Sequence, residues 1–167
     1  YIWTSSDIYA NTNDLFIILK RFGARIKNTF NGHAGHFVST RTNTSGGIAW
    51  IDMLCWPYYI GDSSGPYAVS VIDTTANTFP VYSYTVYNIA HETGHTIGSK
   101  HTHSCSWPGG PIDSCYQPEG GCYNGPVRPR VGTIMSYCFV NGSINFSLGF
   151  GTLPGNLIRQ RYNAAPC

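Results

Sequence analysis

Three histidines and one glutamate occur at a spacing that suits metal-assisted hydrolysis. His91 and His95 are four residues apart, so on a helix both imidazoles lie on one face, about 6 Å apart along the axis. Glu92 follows the first histidine directly, where a carboxylate can hold and deprotonate a water without binding the metal. Gly98 permits a turn with positive φ, after which His101 can return as a third ligand. Three histidines leave a fourth position open, which is typical of catalytic zinc.

The alternative to a metal site is an ordinary helix with two exposed histidines and a hydrogen-bonded glutamate. Five fixed positions within eleven residues rarely arise by chance, so the pattern favours zinc. A further imidazole follows in His101-Thr102-His103, and in an extended segment the two rings point opposite ways. The spacing favours His101 as the ligand, and we expect His103 to pack or to bind a backbone carbonyl.

Apolar periodicity predicts the elements that must position these side chains. A helix from Val81 or Tyr84 to Gly98 is predicted to hold the first two histidines. An earlier helix, capped at Asn13-Asp14 and running to about Phe30, has an apolar stripe of Leu15, Ile18, Phe22, Ile26 and Phe30. Strands are predicted at residues 1–4, 37–40, 47–51 and 67–72, the last half-buried, and a final helix at residues 156–162.

Composition restricts the class of protein. Charged residues make up 11% of the 167 and the net charge is +2, with no basic run, so nucleic acid is not an expected partner. No stretch is apolar enough for a membrane span. The six cysteines lack a Cys-x-x-Cys pair and predict three disulfides, and hence a secreted, extracellular protein. The chain begins at Tyr1 without an initiator Met, which we interpret as a processed piece.

Residues 91–101, together with Thr133-Ile134-Met135-Ser136-Tyr137, resemble the metzincin zinc peptidases. The resemblance implies that Met135 forms a hydrophobic floor beneath one zinc ion. The most similar branch is that of the reprolysins or adamalysins, especially secreted bacterial enzymes. It implies an α+β fold with a twisted, mostly parallel sheet, an antiparallel edge strand and an active-site helix. One catalytic domain over residues 1–167 would then comprise an N-terminal subdomain to about residue 98 and a loop-rich, disulfide-stapled C-terminal subdomain over residues 99–167.

The same resemblance implies a substrate site and one disulfide. Ile48, Ala49, Trp50 and Ile51 are similar to the edge strand that receives a peptide as an extra antiparallel strand. Phe139 and Val140, after the methionine turn, would wall the pocket beyond the scissile bond. The cysteine after the edge strand pairs with one at the C-terminus in that branch, which implies Cys55–Cys167. For the other four cysteines, which allow three pairings, we favour Cys105–Cys138 and Cys115–Cys122.

The chain departs from the reprolysin pattern in three places. Thr102 stands where reprolysins usually have Asp after the third histidine. Tyr137 resembles a tyrosine of astacins and serralysins, and is either a fifth ligand that stabilises the oxyanion or a packed aromatic. Reprolysins also have a first strand and a long helix ahead of the segment that residues 1–4 resemble. A companion N-terminal fragment or propeptide is therefore a candidate partner.

Together these features predict a secreted zinc-dependent endopeptidase, with a water activated by zinc and Glu92 as general base. One catalytic Zn²⁺ is expected, whereas nothing in the sequence supports calcium. The substrate would be a protein or peptide. The competing hypotheses are a non-catalytic extracellular binding or adhesion module that retains the zinc site, and a disulfide-rich binding domain without metal.

Overall fold

Helices and strands alternate in the first half of the chain, and loops dominate the second. The computed structural model describes residues 7–73, 75, 84–122 and 128–167. The first half contains α1 (Leu15–Ile26), β1 (Gly35–Ser39), β2 (Gly47–Ala49), β3 (Tyr67–Val71) and α2 (Tyr84–Ile97). The second half contains β4 (Val131–Gly132), α3 (Cys138–Asn141), β5 (Ser143–Ile144), a 3₁₀ turn (Phe146–Leu148) and α4 (Thr152–Ala164). The predicted strand at residues 1–4 lies outside the described residues.

Helix α1 supplies the apolar layer beneath the sheet. The Asp14 side chain accepts hydrogen bonds from the first-turn N–H groups and caps the helix, as predicted. The helix ends at Ile26 rather than near Phe30, and the chain turns there, with Thr29 N bonded to Ile26 O at 2.9 Å. Phe30 still packs against the core from outside the helix. The core cluster is Tyr9, Ile18, Leu19, Phe22, Ile26, Phe37, Tyr67 and Val69.

The described sheet has three strands in the order β1-β3-β2. Strand β3 pairs parallel with β1 and antiparallel with β2, so β2 is an antiparallel edge strand among the described residues, whereas a twisted, mostly parallel sheet stays a prediction. All five residues of β3 are buried, which corrects the prediction of a half-buried strand, because α1 and α2 both pack against it. Strand β2 is shorter than the predicted 47–51 and lies at one edge of the sheet.

Helix α2 is fixed at both ends by polar contacts. Near its start, the buried Asn88 amide donates to Gly46 O at 2.9 Å and to Val71 O at 2.7 Å, which joins the helix to β2 and β3. At its end, the Gly98 and Ser99 N–H groups bond to carbonyls of the last turn in a Schellman arrangement. Gly98 has φ +120°, a conformation that favours glycine. The predicted start at Val81 lies outside the described residues.

The described cysteines form three disulfides: Cys55–Cys167, Cys105–Cys122 and Cys115–Cys138. The first is the pair that the resemblance implies, and it ties the segment after β2 to the end of the chain. The predicted pairs Cys105–Cys138 and Cys115–Cys122 are wrong. Although the segment after the third histidine does contact the methionine turn, the cysteine that lies beside Cys138 is Cys115, from a later part of the loop.

Two sets of hydrogen bonds explain the observed pairing. The Asp113 carboxylate accepts from the Ser136 hydroxyl at 2.7 Å, which brings Cys115 beside Cys138 with their Cα atoms 4.8 Å apart. Separately, Cys105 N bonds to Glu119 O at 2.9 Å. That contact places Cys105 near Cys122 on the same loop, with the Cα atoms 6.0 Å apart. Polar contacts that the sequence pattern does not reveal therefore determine which cysteines meet.

The final helix packs against α2 and closes the second half of the fold. It begins at Thr152, four residues ahead of the predicted 156–162, and ends at Ala164. Pro154 is in its first turn, where the missing N–H would have no helical partner in any case. None of the helices that the structure describes is both long enough and apolar enough to cross a membrane.

Candidate metal centre

The Nε2 atoms of the three motif histidines converge on one point. His101 Nε2 lies 3.0 Å from His95 Nε2 and 3.1 Å from His91 Nε2. The first two imidazoles come from adjacent turns of α2, as the four-residue spacing predicts. The third comes back from the segment beyond the Gly98 turn. These three side chains form a group that could hold a metal ion.

The hydrogen bonds of the three rings show that the site fits a cation. Each Nδ1 faces an acceptor: Ile134 O at 2.7 Å for His91, Ser99 O at 2.8 Å for His95, and Glu119 Oε1 at 2.5 Å for His101. An Nδ1 in such a contact holds the proton, so each Nε2 presents a lone pair. Three lone pairs about 3 Å apart cannot bond to one another. Tetrahedral zinc, with bonds of about 2.0–2.1 Å, would hold them about 3.3 Å apart and satisfy all three.

Burial keeps these imidazoles in the neutral form that binds metals. It holds the pKa of His91 well below its usual value, and the neighbouring histidines His95 and His101 lower it further. The pKa of His95 is also lowered, chiefly by burial. For His101, burial and the adjacent histidines lower the pKa to about 3. The site therefore holds neutral donors over the whole neutral pH range.

Glu92 lies beside the triad in a tight space between α2 and the edge strand. Its side chain is buried, and its Oε2 has no hydrogen-bond partner among the described residues. Burial raises the pKa of this carboxyl to about 8. Gly47 of β2 makes room for it, because a Cβ at that position would lie 2.5 Å from Glu92 Cγ and 2.6 Å from Oε1. A carboxyl with this pKa is mostly protonated at neutral pH, and a cation nearby would favour its ionised form.

The methionine turn packs directly against the helix that holds the first two histidines. Met135 is fully buried, and a Cβ at Gly94 would lie 2.5 Å from its sulfur, so only glycine fits in that helical turn. The turn is also bonded to α2 through Tyr87, whose hydroxyl donates to Ser136 O at 2.6 Å. Thr102 N bonds to Met135 O at 3.0 Å, which links the turn to the residue after His101.

Tyr137 lies among the histidine rings. Its ring centroid is 4.5 Å from that of His101, 4.9 Å from that of His103 and 5.7 Å from that of His91, with the last pair stacked. Burial, reinforced by Glu92 and Glu119, raises the pKa of the phenol to about 12. Its described contacts are those of a packed aromatic side chain, so a role as ligand or oxyanion stabiliser stays a prediction.

The predicted substrate strand lies at one edge of the sheet that the described residues form. Trp50 N bonds to Tyr67 O of β3 at 3.2 Å, so the alternation of an antiparallel pair directs the main-chain groups of Ala49 and Gly47 away from β3. The side chains of Ile48 and Trp50 pack against the core. Main-chain groups rather than these side chains are therefore what the strand offers to a peptide.

The remaining predicted substrate residues are exposed. Ile51 follows the edge strand with 49% of its surface exposed, outside β2 itself. Phe139 and Val140 are on α3 and are also largely exposed. The Phe139 ring contacts Tyr87 and Tyr137, with centroids 5.4 and 5.7 Å apart. Whether any of the three binds substrate remains a prediction.

Sequence reasoning missed Asp113, a buried carboxylate that joins the third ligand's segment to the methionine turn. It accepts hydrogen bonds from the hydroxyls of Thr102 and Ser136, and from Cys115 N at 3.1 Å. Thr102 stands where reprolysins usually have Asp, and its hydroxyl contacts the carboxylate of Asp113, eleven residues further along the chain. A single Asp in a loop without periodicity gives no sequence signal for this role.

Sequence reasoning also missed Glu119, which faces two histidines. Its Oε1 is 2.5 Å from His101 Nδ1 and 3.3 Å from His103 Nε2. His103 is buried and stacks on His101 with ring centroids 4.8 Å apart, so it packs as predicted. Its recorded polar contact is to this carboxylate rather than to a backbone carbonyl.

Two of the histidines are on α2 and the third is on the segment after it, and α2 packs against an edge strand of the described sheet. Such an arrangement is found in zinc peptidases. The Reprolysin_5 model of metallo-peptidase family M12 matches residues 1–147. The chain therefore belongs to this metallopeptidase family, and the resemblance to reprolysins is confirmed. The search of curated proteins gave no match.

Proposed function

We propose that this chain is a secreted zinc-dependent endopeptidase whose residues 1–167 act as one catalytic domain. The observation that carries the proposal is the convergence of three Nε2 lone pairs beside a buried carboxyl with a free oxygen. Membership of a metallopeptidase family supports it. Three disulfides and a low content of charged residues support an extracellular location.

The proposed chemistry divides between the metal and Glu92. Zinc held by His91, His95 and His101 would supply a Lewis acid that acidifies water and polarises the peptide carbonyl. Glu92 accepts the proton of the attacking water at its free oxygen, and then delivers that proton to the leaving amine. Zinc in the triad would favour the ionised form of this carboxyl, which is the form that can accept a proton.

The peptide is proposed to lie antiparallel along β2. The outward main-chain groups of Gly47 and Ala49 bind it as an added strand, a mode that holds the scissile bond extended. Phe139 and Val140 provide apolar surface beyond that bond. Tyr137 lies 4.5 Å from the His101 ring by centroid, where its neutral hydroxyl can donate to a developing oxyanion.

Cleavage of denatured casein or gelatin by the purified chain tests this proposal. We expect one zinc per chain, loss of cleavage when a chelator is present, and recovery when zinc is restored. His95→Ala should lose both zinc and cleavage, because it removes one of the three converging donors. His33→Ala is the matched control, since His33 is exposed and outside the triad.

The other outcomes distinguish the competing classes. Zinc that raises thermal stability without any cleavage would support a binding or adhesion module with a structural metal. A chelator that changes neither stability nor cleavage would mean that the triad holds no functional metal.

A further inference from the structure

Glu119 is outside the histidine motif but contacts the ring of its last member. We propose that Glu119 is a positioning residue, which orients His101 and makes it a stronger ligand for the metal. The inference rests on the proposed zinc site, but not on peptide hydrolysis. It concerns how this chain compensates for taking its third ligand from a loop rather than from a helix.

His101 differs from the other two ligands in what holds its ring. His91 and His95 are on α2, and their Nδ1 atoms donate to backbone carbonyls that the fold already fixes. His101 belongs to the segment after the helix, and it alone of the three is not fully buried. Its Nδ1 donates to a side chain, Glu119. The orientation of this one ligand therefore depends on a residue that can be replaced.

The backbone of Glu119 is fixed although 46% of its side chain is exposed. Glu119 N bonds to His103 O at 3.0 Å, and Cys105 N bonds to Glu119 O at 2.9 Å. The Cys105–Cys122 disulfide closes the same loop. These contacts tie the carboxylate to the segment that begins at His101, so the acceptor and the ligand are held by one small structure.

His103 stacks against the ring of His101 and contacts the same carboxylate. The two imidazoles are nearly parallel, with 10° between their planes, and His103 is almost wholly buried. His103 Nε2 lies 3.3 Å from the same Glu119 oxygen. One carboxylate oxygen therefore faces both rings of the stack, and it restrains the rotation of His101 about its side-chain bonds.

A second metal between His101, His103 and Glu119 is the other use for these groups. The 2.5 Å contact between Glu119 Oε1 and His101 Nδ1 argues against it. Two atoms bound to one zinc ion lie about 3 Å or more apart, given bonds of about 2.0–2.1 Å and tetrahedral angles. A separation of 2.5 Å is that of a charge-assisted hydrogen bond. Such carboxylate–histidine pairs typically strengthen metal binding about 10- to 100-fold.

Zinc affinity of the full chain, measured by competition with a chromogenic chelator, tests the inference. Glu119→Ala should weaken binding about 10- to 100-fold. Glu119→Gln should weaken it less, because the amide oxygen still accepts the His101 proton but has no charge. Gln117→Ala, an exposed position on the same loop, is the matched control and should bind zinc like the wild type. The ¹⁵N shifts of the His101 ring should report loss of the Nδ1–H tautomer in Glu119→Ala.

Three results would overturn the inference while leaving the zinc site intact. One is an affinity of Glu119→Ala within threefold of the wild type. Another is an equal loss in the Ala and Gln variants together with a lower thermal midpoint of both zinc-free proteins, which would indicate a purely structural role. The third is a second zinc equivalent that disappears with Glu119. A wild-type chain that binds no zinc would instead contradict the proposed function itself.

Discussion

A Glu92→Gln variant is expected to keep its zinc and its fold and to lose peptide hydrolysis. Glutamine has the same shape as glutamate, so it fits the space that Gly47 leaves beside the carboxyl. The amide cannot accept the proton of the attacking water. General acid–base catalysis contributes about 10²- to 10⁴-fold, and we expect kcat/KM to fall by that factor or more. Zinc binding should persist, because Glu92 is not one of the three residues proposed to bind the metal.

Steady-state hydrolysis of a fluorogenic peptide, at matched zinc content, measures this effect. Metal analysis and the thermal midpoint of the variant are its controls. The zinc content should equal that of the wild type, and the thermal midpoint should equal or exceed it, because a buried ionisable group has been replaced by a neutral one. Activity within tenfold of the wild type would remove Glu92 from the role of general base. Loss of zinc together with activity would mean that Glu92 supports the site rather than the reaction.

Asp113→Ala is expected to give the largest loss of stability of any substitution considered. The Asp113 carboxylate accepts from Ser136 Oγ, Cys115 N and Thr102 Oγ1, and its removal leaves these donors buried without it. The Thr102 hydroxyl can still donate to Met135 O at 3.2 Å, so it contributes least to the loss of stability. At about 1–3 kcal/mol for each of the other two unsatisfied donors, the free energy of unfolding should fall by about 2–6 kcal/mol.

Urea unfolding of the disulfide-intact protein measures this difference. Asp113→Asn should lose less, because one oxygen remains to accept a hydrogen bond. Gln117→Ala, at an exposed position of the same loop, is the control and should change stability little. Zinc affinity should also fall in Asp113→Ala, since Thr102 follows the third ligand directly. A change in Asp113→Ala no larger than that of the control would show that this network is dispensable.

The sequence predicted the helix and its histidines well because their geometry is local. The four-residue spacing places His91 and His95 on one face of α2, which requires only helical geometry. Gly98 predicts the end of that helix because glycine readily adopts a positive φ. The Asp14 cap of α1 is equally local. Each of these features depends on residues within a few positions, so no knowledge of the tertiary fold was required.

The parts that could not be predicted depend on contacts between distant segments. All five residues of β3 are buried because two helices pack on it, and the sequence of the strand alone does not reveal that contact. The pairing of Cys115 with Cys138 follows from the hydrogen bond of Asp113 to Ser136, twenty-three residues away. The contact between these two residues produces no sequence periodicity, because Asp113 lies in a loop rich in glycine and proline.

Contacts between distant segments also explain why the chain can have Thr102 where reprolysins usually have Asp. Thr102 looks like the loss of an acidic residue when the motif is considered alone. In the fold its hydroxyl contacts Asp113, and the His101 ring contacts a different carboxylate, that of Glu119. Two residues later in the chain thus place acidic groups near His101, whose immediate neighbours in the sequence are not acidic. The motif predicts the ligands, and we propose that the loop determines how firmly the last of them is held.

Anomalous X-ray diffraction above and below the zinc edge, from crystals of the full chain, tests the central claim most directly. The account predicts one strong peak about 2.0–2.1 Å from Nε2 of each of His91, His95 and His101, with Glu92 beside it but not bound to it. A triad without an anomalous peak in zinc-supplemented crystals, or a peak coordinated by Glu119 and His103 instead, would contradict it.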